Sequence, residues 1–345
     1  MSELSLYRKY RPETFKDVLG QDHVIKVLQG ALKEGHPAHA YLFVGTRGIG
    51  KTSIARILAT ELGASPRDIY EMDAASNTGV DNVRQLREEA SVLPFESKRK
   101  VYIIDEVHML SKGAFNAFLK LLEEPPEHVI FILATTELEK VPDTIQSRCQ
   151  VFTFKKPTEK VLGEMVTKIA KAEGFTLEKA SAELIALLAD GSFRDALSVL
   201  QKILASSPDK KVSIEEAILV TGAPRLELVQ RVISDLSKGT SEDALSAIGE
   251  AVTDNADMAV FARLLLQRLR TLLMLRYAPK LGKELASDMA DSDREFLETL
   301  AKDTTSKINA ETLRKCILAS VEIHRASISQ LPLELAVMEL TTPQV

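Results

Sequence analysis

Tryptophan is absent from this chain of 345 residues, and only 5% of its residues are aromatic. A protein that grips single strands by stacking their bases needs a platform of exposed rings, so that mode of binding is excluded. Cysteine is scarce as well. Cys149 and Cys316 are too few and too far apart to build a disulfide framework or a zinc site by themselves. No apolar run approaches the roughly 20 residues that span a bilayer, and the polar, basic start MSELSLYRKYRP lacks the pattern of a signal peptide. These features predict a cytoplasmic protein without a membrane partner. Positive charge is not in excess either, since the formal net charge is −5. Contact with nucleic acid must therefore be local, made to phosphates rather than through the field of the whole molecule.

What is present is an alternation. YLFV (41–44), IYEM (69–72), VYIID (101–105), VIFILA (129–134) and VFTF (151–154) are continuous apolar runs of strand length. Helical patterns lie between them, near 22–34, 51–62, 80–91, 111–122 and 142–147. Alternating β and α units predict a parallel sheet covered on both faces. After Pro157 the strand signal ends and the pattern is helical. Ser192-Phe193-Arg194-Asp195 and Ser213-Ile214-Glu215-Glu216 both fit a capping box. Gly222-Ala223-Pro224 predicts a hinge into a further helical block. The expected organisation is an α/β domain over 1–157, a small helical domain over 158–222 and an all-helical domain over 223–345. The basic run 98–100 is expected to be a solvated turn before a strand.

GTRGIGKT (45–52) follows a strand and opens a helix, the context that the phosphate-binding loop G-x-x-x-x-G-K-[ST] requires. Gly45, Thr46, Arg47, Gly48, Ile49 and Gly50 would bring backbone N–H groups to the phosphates. Lys51 would reach the outer phosphates and Thr52 would hold magnesium. The second half of the site is VYIIDE (101–106). Asp105, ending an apolar strand, can hold the metal beside the loop, and Glu106 can orient and deprotonate an attacking water. A lone Asp-Glu pair is usually just a strand cap. One βαβ unit after a phosphate loop, it predicts a nucleotide triphosphatase.

With these motifs placed, the chain resembles the AAA+ ATPases, and within them the clamp loaders. It is similar to the gamma/tau family of bacterial DNA polymerase III subunits. YRKYRPETFKDVLGQDHV (7–24), MDAASNTGVDNVRQLRE, IIDEVHMLSKGAFNAFLKLLEEPPEH, ILATTE, SRCQ and GSFRDAL occur in that family's order. The resemblance is strong over 1–222 and weaker over 223–345, where it rests on the helical pattern and LPLELAVMEL. It implies a P-loop AAA+ domain, a helical lid and a helical collar that holds subunits together. It also implies ATP and magnesium as ligands. The implied partners are other clamp-loader subunits, copies of the chain itself, a ring-shaped sliding clamp and primer-template DNA. Such a chain acts in the cytoplasm, at the nucleoid. Nucleotidyl transfer is expected of another subunit of the holoenzyme. One departure is plain. The family's four-cysteine zinc module is replaced here by GASPRD (63–68), so no zinc is expected. The chain is also expected to lack the polymerase- and helicase-binding tail of the longer family members.

The resemblance assigns further roles. Thr136, after the VIFILA strand, would sense the γ-phosphate, as would Arg194 in the first turn of a lid helix. A cation at a helix N-terminus opposes the macrodipole, and a phosphate partner would account for its place there. Tyr7, Arg11, Pro12 and Val18 would flank the adenine. Arg148, within SRC, would serve the nucleotide of the neighbouring subunit; the alternative is a strand-edge arginine paired with a local carboxylate. Thr78, Arg84, Lys120 and Thr144 are the candidates for DNA phosphates, where contacts position without reading sequence. Three functions stay open: a hydrolysing motor subunit, a structural subunit contributing scaffolding and Arg148, and a branch-migration helicase. Intact Lys51, Thr52, Asp105 and Glu106 favour the motor.

Overall fold

The computed structural model describes residues 4–287, 289 and 291–341. The first three and last four residues of the expected domains, 1–3 and 342–345, lie outside the described residues. The chain divides into two compact units, Met1–Leu162 with Ala189–Ser198, and Gly163–Leu188 with Val199–Val345.

The first unit opens with α1 (Leu6–Lys9) and α2 (Asp22–Glu34), which lead into β1 (Ala40–Val44) and α3 (Lys51–Glu61). Then come β2 (Ile69–Asp73), α4 (Val80–Ala90), β3 (Lys100–Asp105), α5 (Lys112–Glu123), β4 (Val129–Thr135), α6 (Asp143–Gln146) and β5 (Gln150–Thr153). The five strands are all parallel, in the order β2-β3-β4-β1-β5. Their side chains alternate between two cores. Tyr41, Phe43, Val101, Ile103, Ile130 and Ile132 pack with α2 and α3 on one face. Leu42, Tyr102, Ile104, Phe131 and Leu133 pack with α4, α5 and α6 on the other. The three central strands β1, β3 and β4 are buried on both faces and have no polar side, which is why they read as unbroken apolar runs, while the edge strands β2 and β5 are largely exposed.

Lys100 departs from the expected solvated turn. It is the first residue of β3 and 4% exposed. Its ammonium donates to the Glu89 carbonyl at 2.7 Å and lies 4.8 Å from the centre of the Tyr70 ring. A terminal carbonyl of α4 and an aromatic face together replace water around the charge.

GASPRD forms a turn and the 3₁₀ segment Pro66–Asp68. The Asp68 carboxylate has no exposed surface. It accepts from the backbone N–H groups of Phe95, Glu96 and Ser97 and from the Ser97 hydroxyl at 2.5–2.9 Å. Burial alone would raise its pKa, but these bonds outweigh it and hold the carboxyl far below its ordinary range.

The second unit is helical, with one exception. Between α7 (Glu159–Ala172), which begins in the first unit, and α10 (Ile214–Thr221) lie β6 (Thr176–Leu177), α8 (Lys179–Leu188), α9 (Phe193–Ser206), whose residues 193–198 belong to the first unit, and β7 (Lys211–Val212). β6 and β7 pair in parallel, a feature absent from the sequence reading because two residues leave no periodic signal. Ser213 and Glu216 form the expected reciprocal cap of α10. Gly222 ends α10 in the left-handed conformation, and its carbonyl accepts from the Asp257 N–H at 2.7 Å. The rest comprises α11 (Leu226–Lys238), α12 (Glu242–Thr253), α13 (Met258–Tyr277), α14 (Pro279–Ala286), α15 (Asp291–Lys302), α16 (Ala310–Glu322) and α17 (Leu331–Thr341). Their core is largely aliphatic, around Val232, Ile248, Leu269, Leu272 and Leu297, with Phe261 fully buried among them. Among the described residues, no helix is long and apolar enough to cross a membrane.

Candidate nucleotide-binding site

The sheet's order brings the carboxyl ends of β1, β4 and β3 side by side. The loop 45–50 leaves β1 and ends at Gly50, the N-cap of α3 with φ 102°. Two glycines are needed for space as well as for conformation. A Cβ on Gly45 would lie 2.6 Å from Ile49 Cδ1, and one on Gly48 would lie 2.1 Å from Ser192 Oγ. Ile49 is anchored in the core while Thr46 and Arg47 are exposed. The loop therefore keeps its backbone outward on a fixed base.

Lys51 is 6% exposed, and its ammonium donates to the carbonyls of Gly45 at 2.7 Å and Thr46 at 3.0 Å. Burial lowers its pKa, against the opposing pull of Glu106 and Asp105. The Thr52 hydroxyl donates to Asp105 Oδ2 at 2.7 Å, joining α3 to the end of β3. Glu106 follows with φ 49° and ψ 44°, a left-handed backbone that is uncommon for a side chain of its size. Thr136, one residue past β4, donates from its hydroxyl to Glu106 Oε2 at 3.1 Å. Lys51, Thr52, Asp105, Glu106 and Thr136 thus form one cluster drawn from three strand ends.

The N-terminal segment reaches the same region. Arg11 Nε donates to Ser53 Oγ at 3.1 Å, beside Thr52. Tyr7 is half-buried, and the Arg194 guanidinium lies 4.9 Å from its ring centre. Val18 packs at the margin of the core around α3, and Pro12 is half-buried nearby in sequence. Arg194 stands in the first turn of α9, whose start is fixed by the Asp195 N–H donating to Ser192 Oγ. The Phe193 N–H donates to the Gly48 carbonyl at 2.9 Å, so the phosphate loop and the start of α9 touch.

Arg148 stands apart, between α6 and β5. Its Nη2 donates to Glu123 Oε1 at 2.8 Å and its Nη1 to the Thr144 carbonyl at 2.9 Å. In the single chain the local carboxylate is its partner. Thr78, Arg84, Lys120 and Thr144 are all exposed, on the segment before α4 and on α4, α5 and α6. Arg84 pairs with Asp81 at 3.0 Å, and the Thr78 carbonyl accepts from the N–H of Ser111, the cap of α5. No hydrogen bond or ion pair joins any two of these four among the described residues.

Sequence reasoning passed over His108, Thr135 and Glu137, which join the cluster around Glu106. His108 was within sight, in DEVHML, but its partners lie 27 and 29 residues later. Cys149 and Cys316 are free thiols, and burial pushes each up to about 12.

The family described as DNA polymerase III, delta subunit, matches residues 20–78 and 67–158. The family described as DNA polymerase III clamp loader subunit, ATPase lid domain, matches residues 162–208. DNA polymerase III subunit tau of Bacillus subtilis is 43% identical over 86% of this chain and 56% of its own length. DNA polymerase III subunit gamma/tau of Mycobacterium bovis is 35% identical over 99% of this chain and 63% of its own length. The chain belongs to the AAA+ clamp-loader ATPases. It spans little more than half the length of these two relatives. The fold extends further than the family. The Thermotoga maritima RuvB Holliday junction branch migration motor is 22% identical, with a TM-score of 0.54 over 75% of this chain and 91% of that one.

Proposed function

We propose that the chain is the ATP-driven motor subunit of a DNA polymerase III clamp loader. It opens the sliding clamp and loads it on primed DNA, as a cytoplasmic, nucleoid-associated protein. The observation that carries this reading is the Thr52–Asp105 hydrogen bond beside buried Lys51 and the Glu106–Thr136 pair. These are polar groups of the kind that phosphoryl transfer uses, and a purely structural subunit would not require them together, which supports the motor reading.

A hydroxyl and carboxylate oxygens suit magnesium, and Thr52 with Asp105 would hold it. When bound, magnesium neutralises charge on the β- and γ-phosphates. Lys51 exchanges its loop carbonyls for phosphate oxygens, at little cost because it is already desolvated. Glu106 accepts the proton of the attacking water, with Thr136 fixing its carboxylate. Arg194 brings positive charge from the lid, and Tyr7, Arg11, Pro12 and Val18 border the base. Arg148 trades Glu123 for the nucleotide of the neighbouring subunit. That exchange is cheap, since a half-exposed ion pair is worth about 0–1 kcal/mol. Thr78, Arg84, Lys120 and Thr144 meet DNA phosphates. Other loader subunits and further copies of the chain complete the arc, and nucleotidyl transfer lies elsewhere in the holoenzyme. The RuvB likeness concerns the fold and does not favour branch migration.

The test is ATP turnover by the reconstituted complex with and without clamp and primed DNA. Stimulation by both together is expected. Turnover indifferent to clamp and primer would overturn the loader reading.

A further inference from the structure

His108 is a buried side chain of the cluster to which the mechanism gives no task. It sits in the 3₁₀ turn Val107–Met109 after Glu106, and its side chain is 6% exposed. Its Nε2 lies 3.2 Å from Glu137 Oε1. Its Nδ1 lies 3.1 Å from Thr135 Oγ1 and 3.5 Å from Glu106 Oε2. The Glu137 backbone N–H donates to the same Thr135 Oγ1 at 3.0 Å.

Donors and acceptors can be sorted from these partners. A carboxylate only accepts. Glu137 is kept ionised by Lys140, whose ammonium donates to its other oxygen at 2.7 Å and holds it below the usual carboxylate range. Nε2 must therefore carry the ring proton. In the neutral ring Nδ1 is then an acceptor, and the Thr135 hydroxyl supplies its proton while accepting from the Glu137 N–H. Three hydrogen bonds close into a ring: Glu137 N–H to Thr135 Oγ1, Thr135 O–H to His108 Nδ1, and His108 Nε2–H to Glu137 Oε1. Residues 135 and 137 are thus both clasped to the turn that follows Glu106. Thr136 lies between them, and its hydroxyl is the one that reaches Glu106.

We propose that His108 is a positioning residue for ATP hydrolysis, holding the turn after β4 so that Thr136 stays on the Glu106 carboxylate. In this tautomer Nδ1 has no proton to give Glu106, so the carboxylate remains a base. A left-handed backbone at a side chain of this size persists only where its surroundings hold it, and the clasp belongs to those surroundings. Lys51 and Thr52 belong to α3, outside the clasp, so ATP binding does not depend on it. The inference rests on the reading of Glu106 as the group that activates water.

Two measurements on the full chain test it. Long-range ¹⁵N–¹H correlation of the six histidine rings, with His108 assigned by its loss in His108→Gln, reports the tautomer without any turnover. An Nε2–H ring is expected, released by Glu137→Ala. An Nδ1–H ring, or one unchanged by Glu137→Ala, overturns the proposal. Kinetics of the reconstituted complex give the second arm. His108→Ala is expected to lower kcat by about tenfold to a hundredfold, the scale of a small misplacement, with ATP affinity kept within about twofold. Glu137→Ala should add little to His108→Ala, because members of one network are not additive. His108→Gln, which restores a donor toward Glu137, should recover part of the rate. Loss of ATP binding in step with kcat, or full additivity, overturns the proposal. Glu106→Gln separates the two levels. If Glu106→Gln loses turnover while His108→Ala keeps the parent's rate, positioning alone fails; if Glu106→Gln turns over normally, the water-activating reading fails and the proposal with it.

Discussion

The Thr52 hydroxyl and the Asp105 carboxylate, 53 residues apart in the chain, meet at 2.7 Å. The bond ties the helix that follows the phosphate loop to the end of β3. It also separates two jobs in space, because Lys51 faces the loop carbonyls while Glu106 faces Thr136.

That separation predicts opposite phenotypes. Lys51→Ala should cost about 2–5 kcal/mol of ATP affinity, the scale for truncating one partner of a buried charged contact. Glu106→Gln should bind ATP within about twofold of the parent and lose about 10²–10⁴ in turnover, the usual contribution of a positioned base. Equilibrium binding of labelled ATP and steady-state turnover of both variants check this. Normal binding by Lys51→Ala would sink the assignment of the loop.

Much of the first unit was legible for a single physical reason. Strands buried on both faces leave apolar runs, and GTRGIGKT and VYIIDE stand at the ends of two such runs. The small parallel pair β6–β7 was not legible, since two residues carry no period. Lys100 was misread because its companions, the Glu89 carbonyl and Tyr70, are supplied by tertiary structure. The ring through His108 escaped for the same reason. Its members lie 27 and 29 positions apart, and no spacing rule joins the end of β3 to the end of β4.

Within GASPRD the Asp68 carboxylate accepts hydrogen bonds from residues 95–97 and ties the two segments together. Elemental analysis of the purified chain should find no stoichiometric zinc, and chelators should not unfold it. Asp68→Asn should cost about 2 kcal/mol at neutral pH, because backbone donors are left facing an amide. The pH dependence has a definite sign. A carboxyl lowered in the folded state stabilises fully above its unfolded pKa of about 4 and loses that contribution as pH falls below it. The gap between parent and variant in urea unfolding should therefore shrink from about pH 5 downward. A gap that widens in acid would contradict the assignment.

DNA binding should belong to the assembled, ATP-bound complex rather than to the isolated chain. The net charge is −5, and Arg84 is engaged by Asp81 within its own helix. Affinity for primed DNA should fall steeply with salt and vary little with sequence, as for contacts made to phosphates. Titrations at several salt concentrations, with two unrelated duplex sequences, decide the matter. Tight binding by the isolated chain, or a strong preference for one sequence, would count against the phosphate-gripping arrangement.

Arg148 gives the most direct test of assembly. Its bond to Glu123 is half-exposed, so the guanidinium can be drawn away by a phosphate on the adjoining subunit. Two inactive variants should then rescue each other. Arg148→Ala keeps its own pocket but cannot complete its neighbour's. Lys51→Ala has no working pocket yet still offers Arg148 to the next subunit. Where an Arg148→Ala pocket meets a Lys51→Ala neighbour, every group is present once more. An arginine supplied in trans is worth about 10³–10⁵ in rate in GTPases, and less is expected here because Arg194 and magnesium share the charge. Complexes carrying each variant alone, and both mixed, are compared for ATPase stimulated by clamp and primed DNA. Recovery should be partial, because subunits assort at random and partner subunits take some positions. If mixed assembly is verified and the mixture stays as inactive as its parents, Arg148 acts within its own chain and Glu123 is its working partner.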